Sequence, residues 1–227
     1  MQTNLIIYSN GDLMLPTEPE GYVSIVASNF IFPVVSLIEA LDGVGKHAPN
    51  EVQASPLENG YSLAITTLTV LMVESAISRT QYMMKISPPK KALEFVKQEF
   101  LNDYLQKIEE LFVIRDTIVH NHVWEANTYW DENGKLKFAD AKLAKGYGDK
   151  KYEKVVDTSA RKTKLLGLNV FPNRICRSDA ITVLRTAIEF LSAIERKNHN
   201  YFSVSALIVK YKSRVIPFEK FMSELSI

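Results

Sequence analysis

Arg115, Asp116, His120 and His122 stand close together in the segment RDTIVHNH, Arg115 to His122. Arginine keeps its charge at any physiological pH, whereas histidine titrates near neutrality. Within two helical turns of each other, these groups suit transfer at a phosphodiester. A neutral imidazole takes the proton from an attacking hydroxyl or protonates the leaving oxygen, while the guanidinium stabilises charge gathering on the phosphorus oxygens. That chemistry uses neither metal nor cofactor, and no acid/His cluster with metal-ligand spacing lies near the segment.

The neighbouring sequence says how these side chains would be held. At about 100° per residue, a helix over Leu101 to Val123 gathers Leu101, Leu105, Ile108, Phe112, Val119 and Val123 on one face, flanked by Tyr104 and Leu111. Asp103, Gln106, Glu109 and Glu110 fall away from the centre of that face. Arg115 falls inside it. His122 shares the arginine's face, and His120 lies nearer the edge with Asp116 one turn before it. A permanent cation on an apolar face needs a reason, because desolvating it unpaired is costly. Three are open: an acid on a neighbouring helix, for which Glu74 in LMVESAI is the candidate; a subunit seam; or a cleft prepared for an anion.

Helices dominate the expected architecture. A short apolar stretch on each side of Asn10-Gly11 predicts a hairpin or arm over residues 1–20. An apolar helix follows over roughly Tyr22 to Leu41, which Pro33 should kink or interrupt. Asp42 to Asn59 is rich in Gly, Pro, Asn and Ser and is expected as a loop. A second helix is expected from about Gly60 to Lys85, stopped by Pro88-Pro89, and a third region from Lys91 to Trp124 with a break near Asn102. Tyr129-Trp130, the turn Asp131 to Gly134 and Leu136 to Phe138 predict a β-hairpin. Ser178-Asp179 should cap a last long helix ending near Asn198, and the tail from Tyr201, divided by Pro217, should pack back. The fold class is thus mainly α: a bundle of four to six helices with a small N-terminal β arm. It forms a single helical domain over 21–227, with a β-hairpin and basic insertion at about 126–170.

Composition narrows the function classes. Lone Cys176 excludes an internal disulfide framework and a Cys-rich zinc site. GVGK at Gly43 to Lys46 lacks the upstream glycine, the following Ser/Thr and the preceding strand of a phosphate loop. The start MQTNLIIYSNGD does not read as a signal peptide, and the apolar run Leu63 to Val73 is only about half a membrane span, so a cytoplasmic, membrane-free protein is expected. The net charge is +1, yet Lys135 to Lys164 holds ten basic against four acidic residues. Lys142, Lys145, Lys150, Lys151, Arg161 and Lys162 in it would contact an RNA backbone, and Tyr129, Trp130, Phe138 and Tyr147 would stack on bases. The plainer alternatives are a solvated loop and a hairpin packed onto the bundle.

Arg115 to His120 reads as arginine, a polar residue, three further positions and histidine, closing the apolar helix LQKIEELFVIRDTIVH. An earlier helix, VLMVESAISR, carries an inward acid. In these features the chain resembles HEPN domains over roughly Gly60 to Val123, and the Ser178 to Asn198 helix fits the same pattern. The resemblance implies a helical bundle that pairs as a homodimer, bringing two Arg/His motifs into one cleft. It implies a metal-independent endoribonuclease of the toxin or antiviral-defence kind. Carried over, Arg115 is the phosphate-stabilising cation, His120 the general acid/base and Asp116 its orienting group, with Glu74 and Asn121 in support. The family's spacing of four to six intervening residues admits His122 as well as His120. One toxin branch has a tyrosine two residues after the histidine, which its antitoxin modifies. His122 stands there, so regulation by that route is not expected, while an antitoxin or other regulatory protein stays open as a partner. The alternative function is a non-catalytic dimerising module that binds RNA, a nucleotide or a protein.

Overall fold

Pro33 decides where the first helix can begin. A 3-10 turn, Ala27–Phe30, leads into α1 (Ile31–Asp42), whose first turn contains Pro33. The first four helical N–H groups have no intrahelical acceptor, so a proline there removes no bond and the expected kink does not arise. The computed structural model describes residues 27–45, 55–100, 102–120, 123–145 and 150–225. The expected arm over residues 1–20 lies outside them. What is described is mainly helical, with three small antiparallel sheets.

The second helix starts earlier than the glycine-rich loop reading placed it. α2 (Pro56–Met83) is capped by Ser55, whose Oγ accepts the Glu58 N–H at 3.2 Å, and Pro56 occupies its first position. Asn59 and Gly60 therefore lie inside the helix. Asn59 Nδ2 donates to the carbonyls of Pro172 (2.8 Å) and Ile175 (2.9 Å), tying the start of α2 to the segment before the last long helix. At 28 residues α2 is long and apolar enough to cross a membrane by length and composition, but half of its most apolar window is buried inside the protein. The 3-10 turn, α1 and two later helices, Asn102–Val119 and Arg177–Lys197, pack on it.

The third region does break, at Phe100, into α3 (Ala92–Glu99) and α4 (Asn102–Val119). Every residue from Ile108 to Ile114 is buried. Ile108, Leu111, Phe112 and Ile114 face the main core, while Val113 packs into a second cluster with Tyr152, Val155, Val156 and Val170. This corrects the face assignment. Glu109 and Glu110, expected on the polar side, are buried, whereas Val119 and Val123, expected inside, are exposed. The cause is the insertion: it covers the side of α4 that a lone amphipathic helix would give to water, and the helix ends at Val119 before Val123 is reached.

Trp124 then begins a hairpin longer than expected. β1 (Trp124–Trp130) pairs antiparallel with β2 (Leu136–Leu143), in register from Trp124 opposite Leu143 to Trp130 opposite Leu136, with an irregularity at Asn127/Thr128. The Asp131 carboxylate accepts the N–H groups of Asn133 (3.0 Å) and Lys135 (2.8 Å), and Gly134 takes a φ of 69° that favours glycine. The basic segment, without visible periodicity, nonetheless forms α5 (Lys150–Val155) and the short pair β3 (Val156–Asp157) and β4 (Lys162–Thr163).

The last long helix, α6 (Arg177–Lys197), is capped by Cys176 rather than Ser178. Asp179 at its third position accepts the Cys176 N–H at 3.0 Å and the Asn169 N–H at 3.0 Å, so the acid that looked like a cap partner is the hub of the turn. Asn198 ends the helix, as the sequence suggested. The tail forms β5 (Ile208–Tyr211), β6 (Arg214–Pro217) and α7 (Phe218–Glu224), and Phe218 and Phe221 seat it in the main core.

Candidate functional site

Two helices bring the first half of the site together. Glu74 on α2 meets Arg115 on α4 in a two-pronged pair, Nη1 to Oε2 and Nη2 to Oε1, both at 2.9 Å. A planar guanidinium matches a carboxylate in this geometry, which fixes orientation as well as charge. Of the three explanations open for a cation on that face, the acid on a neighbouring helix is the one realised within the chain. The ring of Phe112 lies 5.9 Å beneath the guanidinium carbon.

Asp116 supplies the link onward. Its Oδ1 lies 2.8 Å from Arg115 Nε and 3.6 Å from His120 Nε2. Arg115 Nε and Asp116 Oδ1 are both buried, yet neither has an aligned hydrogen-bond partner. Their contact is therefore Coulombic attraction between neighbouring charges, not a directed bond. His120 closes the last turn, its N–H donating to the Asp116 carbonyl at 3.0 Å. The result is one line of side chains: Glu74, Arg115, Asp116, His120. Its middle is sheltered, with the Arg115 side chain 16% exposed against 32% for Glu74, and its His120 end is open to solvent at 65%. Two carboxylates face one guanidinium, so the line carries one surplus negative charge while His120 is neutral. His122 and Asn121 lie outside the described residues.

The basic residues are spread over several elements. Lys142 on β2 pairs with Glu125 across the hairpin at 3.0 Å; that hydrogen bond, and then the charge attraction, hold its ammonium above the usual lysine range. Arg161 pairs with Asp140 at 2.6 Å. Lys145, Lys150, Lys151 and Lys162 are exposed. Lys154, which sequence reading left unassigned, reaches Glu109 at 2.5 Å and clips α5 to α4. Tyr129 and Trp130 are 53% and 70% exposed, so these two aromatics do not pack onto the body of the protein. Tyr147 and the Phe138 side chain lie outside the described residues.

A scan against protein-family models and searches of the curated proteins and of the solved structures return no match.

Cys176 is a poor nucleophile where it sits. Burial pushes its thiol up, and the Asp179 carboxylate disfavours the thiolate further. Among the described residues no three His, Cys, Asp or Glu side chains converge as a metal site. Two features escaped the sequence reading altogether. Glu110 accepts the N–H groups of Leu165 (2.7 Å) and Leu166 (2.8 Å), anchoring the insertion to α4. Arg174, beyond the basic segment, joins Arg161 and Lys162 around a cavity. Neither could be found by periodicity, because both depend on where the insertion folds back.

Proposed function

We propose that this chain is an RNA-cleaving helical protein of the HEPN type that works as a homodimer without a metal. The observation that carries the reading is the line Glu74, Arg115, Asp116, His120, which ends with an exposed imidazole beside a carboxylate. His120 exchanges the proton at the attacking or leaving oxygen, and Asp116 orients its ring. Glu74 holds the Arg115 guanidinium on α4, from where it faces the developing charge on the phosphate. The proposal includes a second copy of the chain, which would bring a second Arg115 and His120 to a shared cleft. Lys145, Lys150, Lys151 and Lys162 supply the sequence-independent hold on the RNA backbone, and Tyr129 and Trp130 offer faces for unpaired bases.

A second reading, a non-catalytic binding module with the same fold, is favoured by one feature. Glu74 already occupies both prongs of the Arg115 fork. The two readings separate by incubating purified protein with mixed RNA in EDTA, alongside Arg115→Ala, His120→Ala and His122→Ala variants. The nuclease reading expects cleavage that falls by about 100-fold or more when the acid/base histidine is removed. Cleavage unchanged in all three variants overturns the site. RNA binding without cleavage in the wild type supports the module.

A further inference from the structure

The insertion folds a cavity of about 350 Å³ between β2, the β3–β4 turn and the segment before α6. Its lining is Ala139, Ala160, Arg161, Lys162, Asn169, Phe171 and Arg174. Among the described lining residues three carry positive charge and none carries a carboxylate. Asp140, next to Ala139, pairs with Arg161 and orients its guanidinium. Asn169 is held rigidly, its N–H and Nδ2 both engaged by the Asp179 carboxylate. Phe171 forms an apolar wall, itself backed by Trp124 at 5.3 Å between ring centroids.

The backbone adds an independent observation. Arg161 has a φ of 54°, in the left-handed region where L side chains are strained and Gly or Asn is the usual solution. The Val170 N–H donates to the Arg161 carbonyl at 3.1 Å and the isolated bridge between Lys162 and Asn169 holds the turn in place. Arg161 holds this conformation while its side chain reaches Asp140, and strained residues cluster at functional sites.

We propose that this cavity binds the phosphate of a nucleotide, with Arg161, Lys162 and Arg174 around the phosphate oxygens and Phe171 against the sugar or base. Arginine forks match phosphate oxygens in pairs, and the volume falls in the range of small-ligand pockets. The phosphate belongs either to a free nucleoside monophosphate or to the terminal phosphate of an RNA strand. The site uses neither Arg115 nor His120, so it stands whether or not the chain cleaves RNA.

The test is calorimetric titration of the full chain with 5′-AMP, with adenosine, and with a short RNA carrying either a 5′-phosphate or a 5′-hydroxyl. Binding of AMP but not adenosine is expected, as is weakening by added salt. A clear preference for the phosphorylated RNA over AMP assigns the strand terminus; equal or better binding of AMP assigns the free nucleotide. Arg174→Ala and Arg161→Gly should each weaken binding by about tenfold or more. Arg161→Gly also relieves the strained φ, so its melting temperature should hold or rise while binding is lost, which separates a site defect from a folding defect. His120→Ala should bind AMP as the wild type does. Adenosine binding as tightly as AMP, no phosphate compound binding at all, or Arg161→Gly binding normally would each overturn the proposal.

Discussion

The Glu74–Arg115 fork lends itself to a double-mutant cycle, because the structure sets its size. Exposed ion pairs contribute up to about 1 kcal/mol, and breaking a fully buried pair costs about 3–5 kcal/mol. With Arg115 16% and Glu74 32% exposed, and two aligned hydrogen bonds at 2.9 Å, a coupling of about 2 kcal/mol lies between these limits. The two single changes should differ. Glu74→Leu leaves the guanidinium with Asp116 at 2.8 Å, for a loss of about 1.5 kcal/mol, whereas Arg115→Met leaves two carboxylates with no cation between them and costs about 2–3 kcal/mol. The double variant replaces the pair with apolar side chains of similar volume and should lose clearly less than the sum. Urea denaturation of the four proteins measures this. Single losses that add to within about 0.5 kcal/mol would show that the fork contributes nothing specific. The same proteins, assayed on RNA, separate two roles for Arg115. If the guanidinium acts at the phosphate, the double variant regains stability and stays inactive. If cleavage returns along with stability, Arg115 acts only through the fold.

Three further outcomes follow from local geometry. Glu110→Gln keeps one acceptor for the Leu165 and Leu166 N–H groups but loses the charge. It should cost about 1–3 kcal/mol and speed hydrogen exchange at those two amides; unchanged exchange would mean that the insertion is held elsewhere. Burial pushes the Tyr152 hydroxyl up to about 12 from its ordinary 10.0. A raised folded-state pKa gives stability that is complete below 10 and lost as pH climbs towards 12, so unfolding across that window should be shallower in Tyr152→Phe than in the wild type. Lys212 and Ser213, the turn between β5 and β6, have φ values of 47° and 63°, the arrangement that favours glycine. Ser213→Gly should therefore stabilise the protein by about 1 kcal/mol in thermal denaturation, and a lower melting temperature would refute the turn assignment.

What the sequence disclosed was local, and most of what it concealed depended on the insertion. Apolar periodicity was enough to expect α2, α4 and α6, and the Phe100 break fell near the expected Asn102. Glu74 was legible as the partner of Arg115 because an acid in the apolar run LMVESAI has few other uses. The start of α2 was misplaced although its signal was present: Ser55-Pro56-Leu57-Glu58 is a helix start, and the neighbouring Asn and Gly outweighed it. The exposure of Glu109, Glu110, Val119 and Val123 could not be read from α4 alone, since one amphipathic stripe assumes one covering layer. α4 has two.

That double cover explains why the candidate chemistry sits where it does. From Ile108 to Ile114 the helix is buried all round, gripped by the main core on one side and the Val113–Tyr152 cluster on the other. A helix held this way has little freedom to shift or rotate, so side chains on its next turn are positioned by the whole fold rather than by a loop. Arg115 is the first residue past this sleeve, Asp116 follows it, and His120 is one turn on, where the chain leaves the helix for β1. Past Arg115 one face of the helix stays sheltered, with Thr117 buried and Ile118 packed on the main core. Glu74 pairs with the Arg115 cation from the neighbouring helix, and His120, one turn on, is the member of the line open to solvent. Removing the outer support should therefore loosen this line from a distance. If Glu110 and Lys154 hold the insertion against α4, Glu110→Gln should disturb cleavage as well as local exchange, although neither residue approaches the imidazole. Cleavage that is unchanged while the Leu165 and Leu166 amides open would show that the main core alone positions the site.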